Sequence, residues 1–365
     1  MKKILLSTTA LVAATAVSAG VAKAEMSMNG WMYQGFGAAI SADKGAADDG
    51  GLHSYQNAQL NFVASTEMDS GMTMSMIYDF DADNDKGSMD EARFSLSDDW
   101  GTLQLGGDDT AADVMNVSSW GVAANPVNSG TWSAYVGATA SGSVPVWANG
   151  FMATAGSLIG DAASIKYYSP DMSGFSFGVS YAPNTDGNTD DQGADTGFNN
   201  VFSAALKYSG EMDAVSITAG AGVDHAASPN VVGATTGGDD SVSKYNAGIS
   251  LGMGGFGAGI SYQGLDYKTS ATAKVDNWTV ATDLSYSVGQ HSVSIAYVHG
   301  ETNTGTNAND RDGDAYQLGY NMDLGSGVYW NAAVSKFKIE DNAAGNTTGT
   351  EADFTAFETG VGVSF

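Results

Sequence analysis

Apolar and polar residues alternate with a period of two along most of this chain, which is typical of β-strands with two different faces. After residue 170 the alternation runs through residues 175–181, 215–224, 256–263, 277–286 and 316–324. Before residue 108, residues 57–62 and 72–81 alternate in the same way, except that Ile77 is an apolar residue at a polar position. A first strand is predicted around residues 27–40, but its alternation is poor and assigns no faces.

The connections between these segments are alternately short and long. Seven short turns fall near residues 70, 100, 172, 212, 254, 289 and 326, and eight long polar connections lie between them, which gives sixteen strands. A β-protein in a bilayer must close on itself, because unpaired backbone groups are costly in lipid. Outer-membrane barrels place short turns at one end and long loops at the other. We therefore predict an all-β fold, a transmembrane antiparallel β-barrel of sixteen strands.

The third long connection, residues 108–161, is far longer than any other. No charged residue or histidine lies between Asp113 and Asp161, whereas Trp120, Trp132 and Trp147 do. Its glycines, prolines and asparagines interrupt every candidate membrane helix. A sixteen-stranded barrel is too wide for side chains to fill. We therefore expect this segment to fold inward as the third loop and to narrow the pore.

Composition excludes several classes of function. The net charge is −27, which opposes nucleic-acid binding, and the absence of cysteine excludes a disulfide framework. With 48 glycines and only 5 prolines, the chain suits long antiparallel strands, since proline cannot donate to a β-ladder. No serine, histidine and carboxylate combination stands in a catalytic motif context, so an enzyme is not expected.

The N-terminus has the pattern of an export signal. Lys2 and Lys3 precede an apolar run at residues 4–17, and Ala22-Lys23-Ala24 is an A-x-A cleavage site. We predict a signal peptide at residues 1–24 and a barrel at residues 25–365. Removal of the three lysines of residues 1–24 takes the net charge from −27 to −30.

At the C-terminus, Phe357, Val361, Val363 and Phe365 share one face of an alternating strand. A terminal phenylalanine in this setting resembles the assembly signal of outer-membrane barrel proteins. The resemblance implies the barrel assembly machinery as a partner and the Gram-negative outer membrane as the location.

Three stretches resemble a family. Residues 94–106 (FSLSDDWGTLQLG) are similar to the strand–turn–strand before the third loop of general porins of Gram-negative bacteria. Residues 164–178, with SIKYYSP and GFSFG, resemble the strands after that loop, and residues 360–365 (GVGVSF) resemble the family's C-terminus. The resemblance implies a trimeric sixteen-stranded barrel that passes small hydrophilic solutes. It also implies acidic residues on the third loop opposite basic residues on the wall.

Carried onto this chain, the family pattern indicates five pore constriction residues. Arg93 and Lys166 are the wall cations, and Asp108, Asp109 and Asp113 are the loop acids. The alternative for both cations is pairing with a neighbouring carboxylate far from the aperture. Lys207 and Lys244 also fall on the polar face and are weaker candidates. Gly107 stands where many relatives carry arginine, so we expect a weaker transverse field.

Two further groups of residues keep alternative interpretations. The loop aromatics Trp120, Trp132, Tyr135, Trp147 and Phe151 either pin the loop to the wall or offer a stacking surface for solutes. The acidic runs Asp79, Asp81, Asp83, Asp85 and Asp310, Asp312, Asp314 are either solvated rims or possible Ca²⁺ sites. Divalent ions could bridge such rims to lipopolysaccharide. No other cofactor is expected.

The function predicted from the sequence is a porin for passive diffusion of small hydrophilic solutes and ions, with mild cation preference. One alternative is a channel selective for neutral solutes. Another is a structural or adhesive surface β-protein that does not conduct.

Overall fold

The computed structural model describes residues 24–43, 51–81, 88–119, 121–123, 158–160, 162–185, 198–227, 241–268, 274–303, 311–341 and 352–365. They form sixteen strands: β1 Glu25–Asp43, β2 His53–Glu67, β3 Thr73–Asp81, β4 Ser88–Asp98, β5 Gly101–Gly107, β6 Ala163–Tyr168, β7 Phe175–Asn184, β8 Asn199–Met212, β9 Val215–Ala227, β10 Ser241–Met253, β11 Phe256–Lys268, β12 Lys274–Val288, β13 His291–Asn303, β14 Arg311–Gly325, β15 Val328–Asp341 and β16 Ala352–Ser364. One short helix, α1 Ala111–Val114, follows β5.

The sheet is a closed barrel. Each strand is antiparallel to the next, and β16 closes the ring by pairing with β1. The terminal residue takes part in this closure, because the Phe365 N–H donates to the Gly30 carbonyl at 3.0 Å and the Gly30 N–H donates to the Phe365 carbonyl at 3.0 Å. The predicted sixteen-stranded antiparallel barrel is confirmed.

The two faces of the wall follow the sequence alternation. On β7, Phe175, Phe177 and Val179 point outward and are exposed, whereas Gly178 and Ser180 point inward and are buried. Outward aromatic pairs lie near both ends of the barrel: Phe175–Tyr208 and Phe256–Tyr286 near the short turns, Tyr181–Phe202 and Tyr297–Tyr316 near the long connections. Such belts are typical of the two membrane interfaces. Among the described residues, no helix is long and apolar enough to cross a membrane.

The structure shows which residues of β1 face outward and which face inward, an assignment that the sequence pattern did not allow. Met28, Met32 and Phe36 are exposed on the outer face, while Trp31 and Tyr33 point inward. Large apolar and aromatic residues therefore occupy both faces of β1. This arrangement removes the alternation on which the face assignment depends.

Tight turns join the strands at the short-turn end. Gly254 and Gly255 connect β10 to β11, and Ser326 and Gly327 connect β14 to β15. All four residues have positive φ, which glycine adopts without strain. The strand ends that the longer connections join lie at the opposite end of the barrel, as predicted, and most residues of those connections are outside the described ranges.

Candidate functional site

A cluster of charged side chains stands on the inner wall where β5 passes into the long connection. Arg93 on β4 is at its centre and pairs with Glu91 on the same strand. Its guanidinium also donates to Asp79 Oδ2 on β3 at 2.9 Å, and its Nε lies 3.6 Å from Asp108 Oδ2. The cluster therefore joins two strands of the wall, β3 and β4, to the first residue of the loop.

Asp108 also receives a second cation and an amide. Lys166 Nζ, on β6, lies 3.8 Å from Asp108 Oδ2, and Gln104 Nε2 donates to the same oxygen at 2.7 Å. The Lys166 side chain has no exposed surface, so its charge acts through Asp108 and not by direct contact with solutes. Glu91, Asp108 and Asp109 each place a carboxylate oxygen within 4.8 Å of the others.

The loop then turns into α1, which lies against the inner wall. The first N–H groups of a helix have no partner within the helix. Here the N–H of Ala111 donates to Ser180 Oγ on β7 at 3.1 Å, and the N–H of Ala112 donates to Ser203 Oγ on β8 at 2.9 Å. Thr110 caps the helix, since its hydroxyl accepts from the Asp113 N–H at 3.3 Å. Two wall hydroxyls therefore replace the water that an exposed helix end would bind.

Two side chains of β10 hold the other side of this helix. Lys244 pairs with Asp113, and Asn246 Nδ2 donates to the Ala112 carbonyl at 3.0 Å. Lys244 and Asn246 are almost fully buried, so these contacts exclude solvent. The sequence placed Lys244 on the polar face of its strand, but not in contact with the loop.

Beyond α1 the loop runs across the inner wall, from one strand to the next. Farther along, the Val122 N–H donates to Ser294 Oγ on β13 at 2.9 Å. Asn331 Nδ2 on β15 donates to the Val122 carbonyl at 3.3 Å. The described contacts of residues 110–123 thus extend from β7 to β15.

Inward-facing glycines form the floor on which this segment lies. A Cβ at Gly222 would come 2.7 Å from Ala112 Cβ, and one at Gly248 would overlap the Val117 carbonyl oxygen. We call this row the glycine track; its members are Gly178, Gly220, Gly222, Gly248, Gly259 and Gly319. Their missing side chains let the loop backbone approach the sheet closely.

The end of the long connection packs differently. Leu158, Ile159 and Ala162 form an apolar cluster with inward residues of four neighbouring strands, Ala182, Val201, Ala226 and Val242. Both ends of the connection are therefore fixed to the inner wall, the first by polar contacts and the second by apolar burial.

The structure brings four of the five predicted site residues together, namely Arg93, Lys166, Asp108 and Asp109. Asp113 is separate from them and pairs with Lys244. Asp79, assigned to a possible solvated rim, is instead buried within β3 and bound to Arg93. Asp161, the loop residues Trp120, Trp132, Tyr135, Trp147 and Phe151, and the acidic residues Asp83, Asp85 and Asp310 lie outside the described residues.

Comparison with known proteins supplies the family. A family model described as Gram-negative porin matches residues 7–342. Among solved structures, the chain is similar to an anion-selective porin from Comamonas acidovorans, at 15% identity over 94% of this chain and 100% of that chain, with a TM-score of 0.62. It is also similar to the trimer form of OmpT, an outer membrane protein of Vibrio cholerae, at 14% identity over 94% and 99% of the chains, with a TM-score of 0.60. A Rhodopseudomonas blastica porin triple mutant aligns at 17% identity over 93% and 100% of the chains, with a TM-score of 0.54. A search of curated protein sequences gave no match.

Proposed function

The chain belongs to the Gram-negative porin family, and from this premise we propose that it is a passive diffusion channel for small hydrophilic solutes and ions, with a mild preference for cations. Its location is the outer membrane, and the family and fold point to a channel rather than an enzyme. The observation that carries the proposal is the loop fixed inside a closed barrel, beside a cluster of charged residues on the inner wall.

The proposed mechanism is steric and electrostatic and includes no chemical step. Residues 108–161 reduce the aperture, and Arg93, Lys166, Asp108, Asp109 and Asp113 set the field beside it. Among the described residues of the wall cluster the acids outnumber the bases, since it contains Asp79, Glu91, Asp108 and Asp109 but two cations, Arg93 and Lys166. In water two charges at 4 Å interact by only about 1 kcal/mol, so this excess biases ion entry without excluding anions.

The proposed assembly is a homotrimer surrounded by outer-membrane lipid and lipopolysaccharide. One similar structure, OmpT of Vibrio cholerae, is described as a trimer form, which supports this state for a barrel of the same fold. Insertion by the barrel assembly machinery fits the terminal Phe365, which is hydrogen-bonded at the closing seam of the barrel. We also propose that the acidic rims, without the buried Asp79, bind Ca²⁺ that bridges to lipopolysaccharide.

The experiment that tests the function is single-channel recording from the refolded protein in a planar bilayer with a salt gradient across it. We expect conductance steps in groups of three and a reversal potential on the cation side. Folded, inserted protein that does not conduct would overturn the channel function and favour the structural or adhesive alternative. A reversal potential on the anion side would overturn the cation preference alone.

A further inference from the structure

The inner face of β1 and β2 carries a surface of amides and aromatic rings that the proposed mechanism does not use. Asn29 and Asn61 stand opposite each other across the two strands, as do Trp31 and Gln59. Asn61 Nδ2 donates to Asn29 Oδ1 at 3.0 Å, and Trp31 Nε1 donates to Gln59 Oε1 at 3.1 Å. We call these four residues, with Asn57, the amide wall.

The amide wall lies beside the charged cluster in the same inward-facing row. Asn61 pairs across strands with Asp79, and Asp79 pairs in turn with Glu91 on β4. The amide wall and the charged cluster therefore lie on neighbouring strands of the same inner wall. Neither β1 nor β2 contains lysine or arginine, so this part of the pore wall carries no basic side chain.

Several groups on this surface are not satisfied by the protein. Asn61 Oδ1 has no hydrogen-bond partner but is buried, so the amide groups open to a solute are those of the partly exposed Asn57 and Gln59 side chains. In the described part of the chain, no aromatic ring stacks on Trp31, whose N–H is held by Gln59. All five residues of the amide wall are partly exposed, and within the described residues the Asn57 amide makes no hydrogen bond.

This chemistry matches one class of solute. An amide offers both a donor and acceptors, so neighbouring amides can bind adjacent hydroxyl groups. The face of an indole adds apolar contact area for the C–H side of a sugar ring. Charged solutes gain more from the cluster around Arg93 than from a neutral surface. Apolar solutes would leave the amides unpaired, which is unfavourable.

We propose that the amide wall is a weak binding site for neutral polyhydroxylated solutes of the size of a mono- or disaccharide. The inference deepens the proposed function, since it names a solute class that the channel would hold briefly as it passes. Trp31 provides the stacking surface, and Gln59 and Asn57 provide the hydrogen bonds. Gln59 has a second role, because its bond to the Trp31 N–H fixes the orientation of the indole.

The test is the ion current through the refolded channel in a planar bilayer as maltose is added, with tetraethylene glycol as a probe that offers only two hydroxyl donors. We expect maltose to interrupt the current in a saturable way, and the glycol to lower it only in proportion to viscosity. Trp31→Ala and Gln59→Ala should each weaken the apparent maltose affinity by about fivefold, the loss of roughly one hydrogen bond or contact. Trp31→Phe should retain most of it.

The matched control is Asn321→Ala, which removes an inward amide from β14 on another part of the wall. This variant should leave the maltose effect unchanged. The inference is overturned if maltose and the glycol act alike on the unmodified channel, or if Trp31→Ala conducts normally and binds maltose as before. A chain that does not conduct at all would refute the channel function. The sugar site would then be tested separately, by quenching of tryptophan fluorescence in detergent.

Discussion

Lys244 on β10 and Asp113 on α1 form an ion pair across 131 positions of the sequence. Asp224, which is fully buried, stands opposite Lys244 on the neighbouring strand β9. The Lys244 ammonium group therefore lies near two carboxylates beneath the loop, those of Asp113 and Asp224. This relationship makes the two partners of the ion pair unequal, because Lys244 has a second acid beside it, whereas within the described residues Asp113 forms an ion pair with no second base.

This difference between Lys244 and Asp113 predicts that Lys244→Met and Asp113→Asn will have different effects. Lys244→Met leaves Asp113 and Asp224 without a cation, and breaking a buried pair in this way costs about 3–5 kcal/mol. Asp113→Asn leaves Lys244 beside Asp224 and should cost much less. We expect Lys244→Met to increase open-channel current noise strongly as the loop loosens, and Asp113→Asn to increase it slightly. Equal noise in both variants would contradict the shared role of Lys244.

The glycine track predicts a position at which one methyl group changes the pore. In Gly248→Ala the new Cβ would meet the Val117 carbonyl, part of the loop backbone, so the loop must move. Overpacking of this kind costs about 1–3 kcal/mol. Gly252→Ala is the matched control on the same strand and face, where the nearest atom is the Ser216 hydroxyl at 2.6 Å, a side chain that can rotate away.

The measurement is single-channel conductance of both variants at the same salt concentration. We expect Gly248→Ala to change the conductance and Gly252→Ala to preserve it, with both proteins retaining the heat-dependent gel mobility of a closed barrel. An unchanged conductance in Gly248→Ala would show that the loop does not depend on this contact.

Much of the barrel could be predicted from the sequence because one face of each strand contacts lipid and the other contacts water. Apolar and polar residues therefore alternate along the strand. On β7 the apolar residues face outward and the small or polar ones inward, so the period of two is clear. β1 is different, since Trp31 and Tyr33 face the inside while Met28 and Met32 face outward. No pattern of hydrophobicity distinguishes two faces that are both apolar.

The candidate site could be predicted only in part, for a related reason. Arg93 and Lys166 were found because a cation on a polar face is conspicuous, and Asp108 because it begins the loop. Lys244 was underestimated, because its contact with Asp113 depends on the path of the loop across the wall. The glycine track was missed, because inward glycines look like ordinary small lumen residues. The repeated glycines at Gly220 and Gly222 were the available sign of close backbone contact.

The predicted processing site leads to a test of the N-terminus. The first strand begins at Glu25, immediately after the predicted cleavage site at Ala24. Cleavage there would let the whole of β1 pair with β2, where Glu25 is opposite Ser65. We expect intact-mass measurement of protein from outer membranes to give a chain that starts at Glu25. A chain that retains residues 1–24 would contradict the signal peptide.

The charge balance of the wall cluster predicts how selectivity responds to a single acid. Asp109 is partly exposed beside Glu91 and the buried Asp108, so Asp109→Asn removes one negative charge while the ion pairs of Arg93 with Asp79, Glu91 and Asp108 keep both partners. We expect the reversal potential in a salt gradient to move toward zero. The change should correspond to less than about 1 kcal/mol, because the lumen is hydrated.

Salt dependence and a remote control separate this effect from a general change in charge. Exposed charges are screened beyond about 10 Å at 0.1 M ionic strength, so the difference between Asp109→Asn and the unmodified protein should shrink as salt rises. Asp99→Asn alters the same net charge at an exposed short turn and should leave the reversal potential almost unchanged. If both variants shift it equally, selectivity arises from the overall charge of the protein and not from the cluster beside the loop.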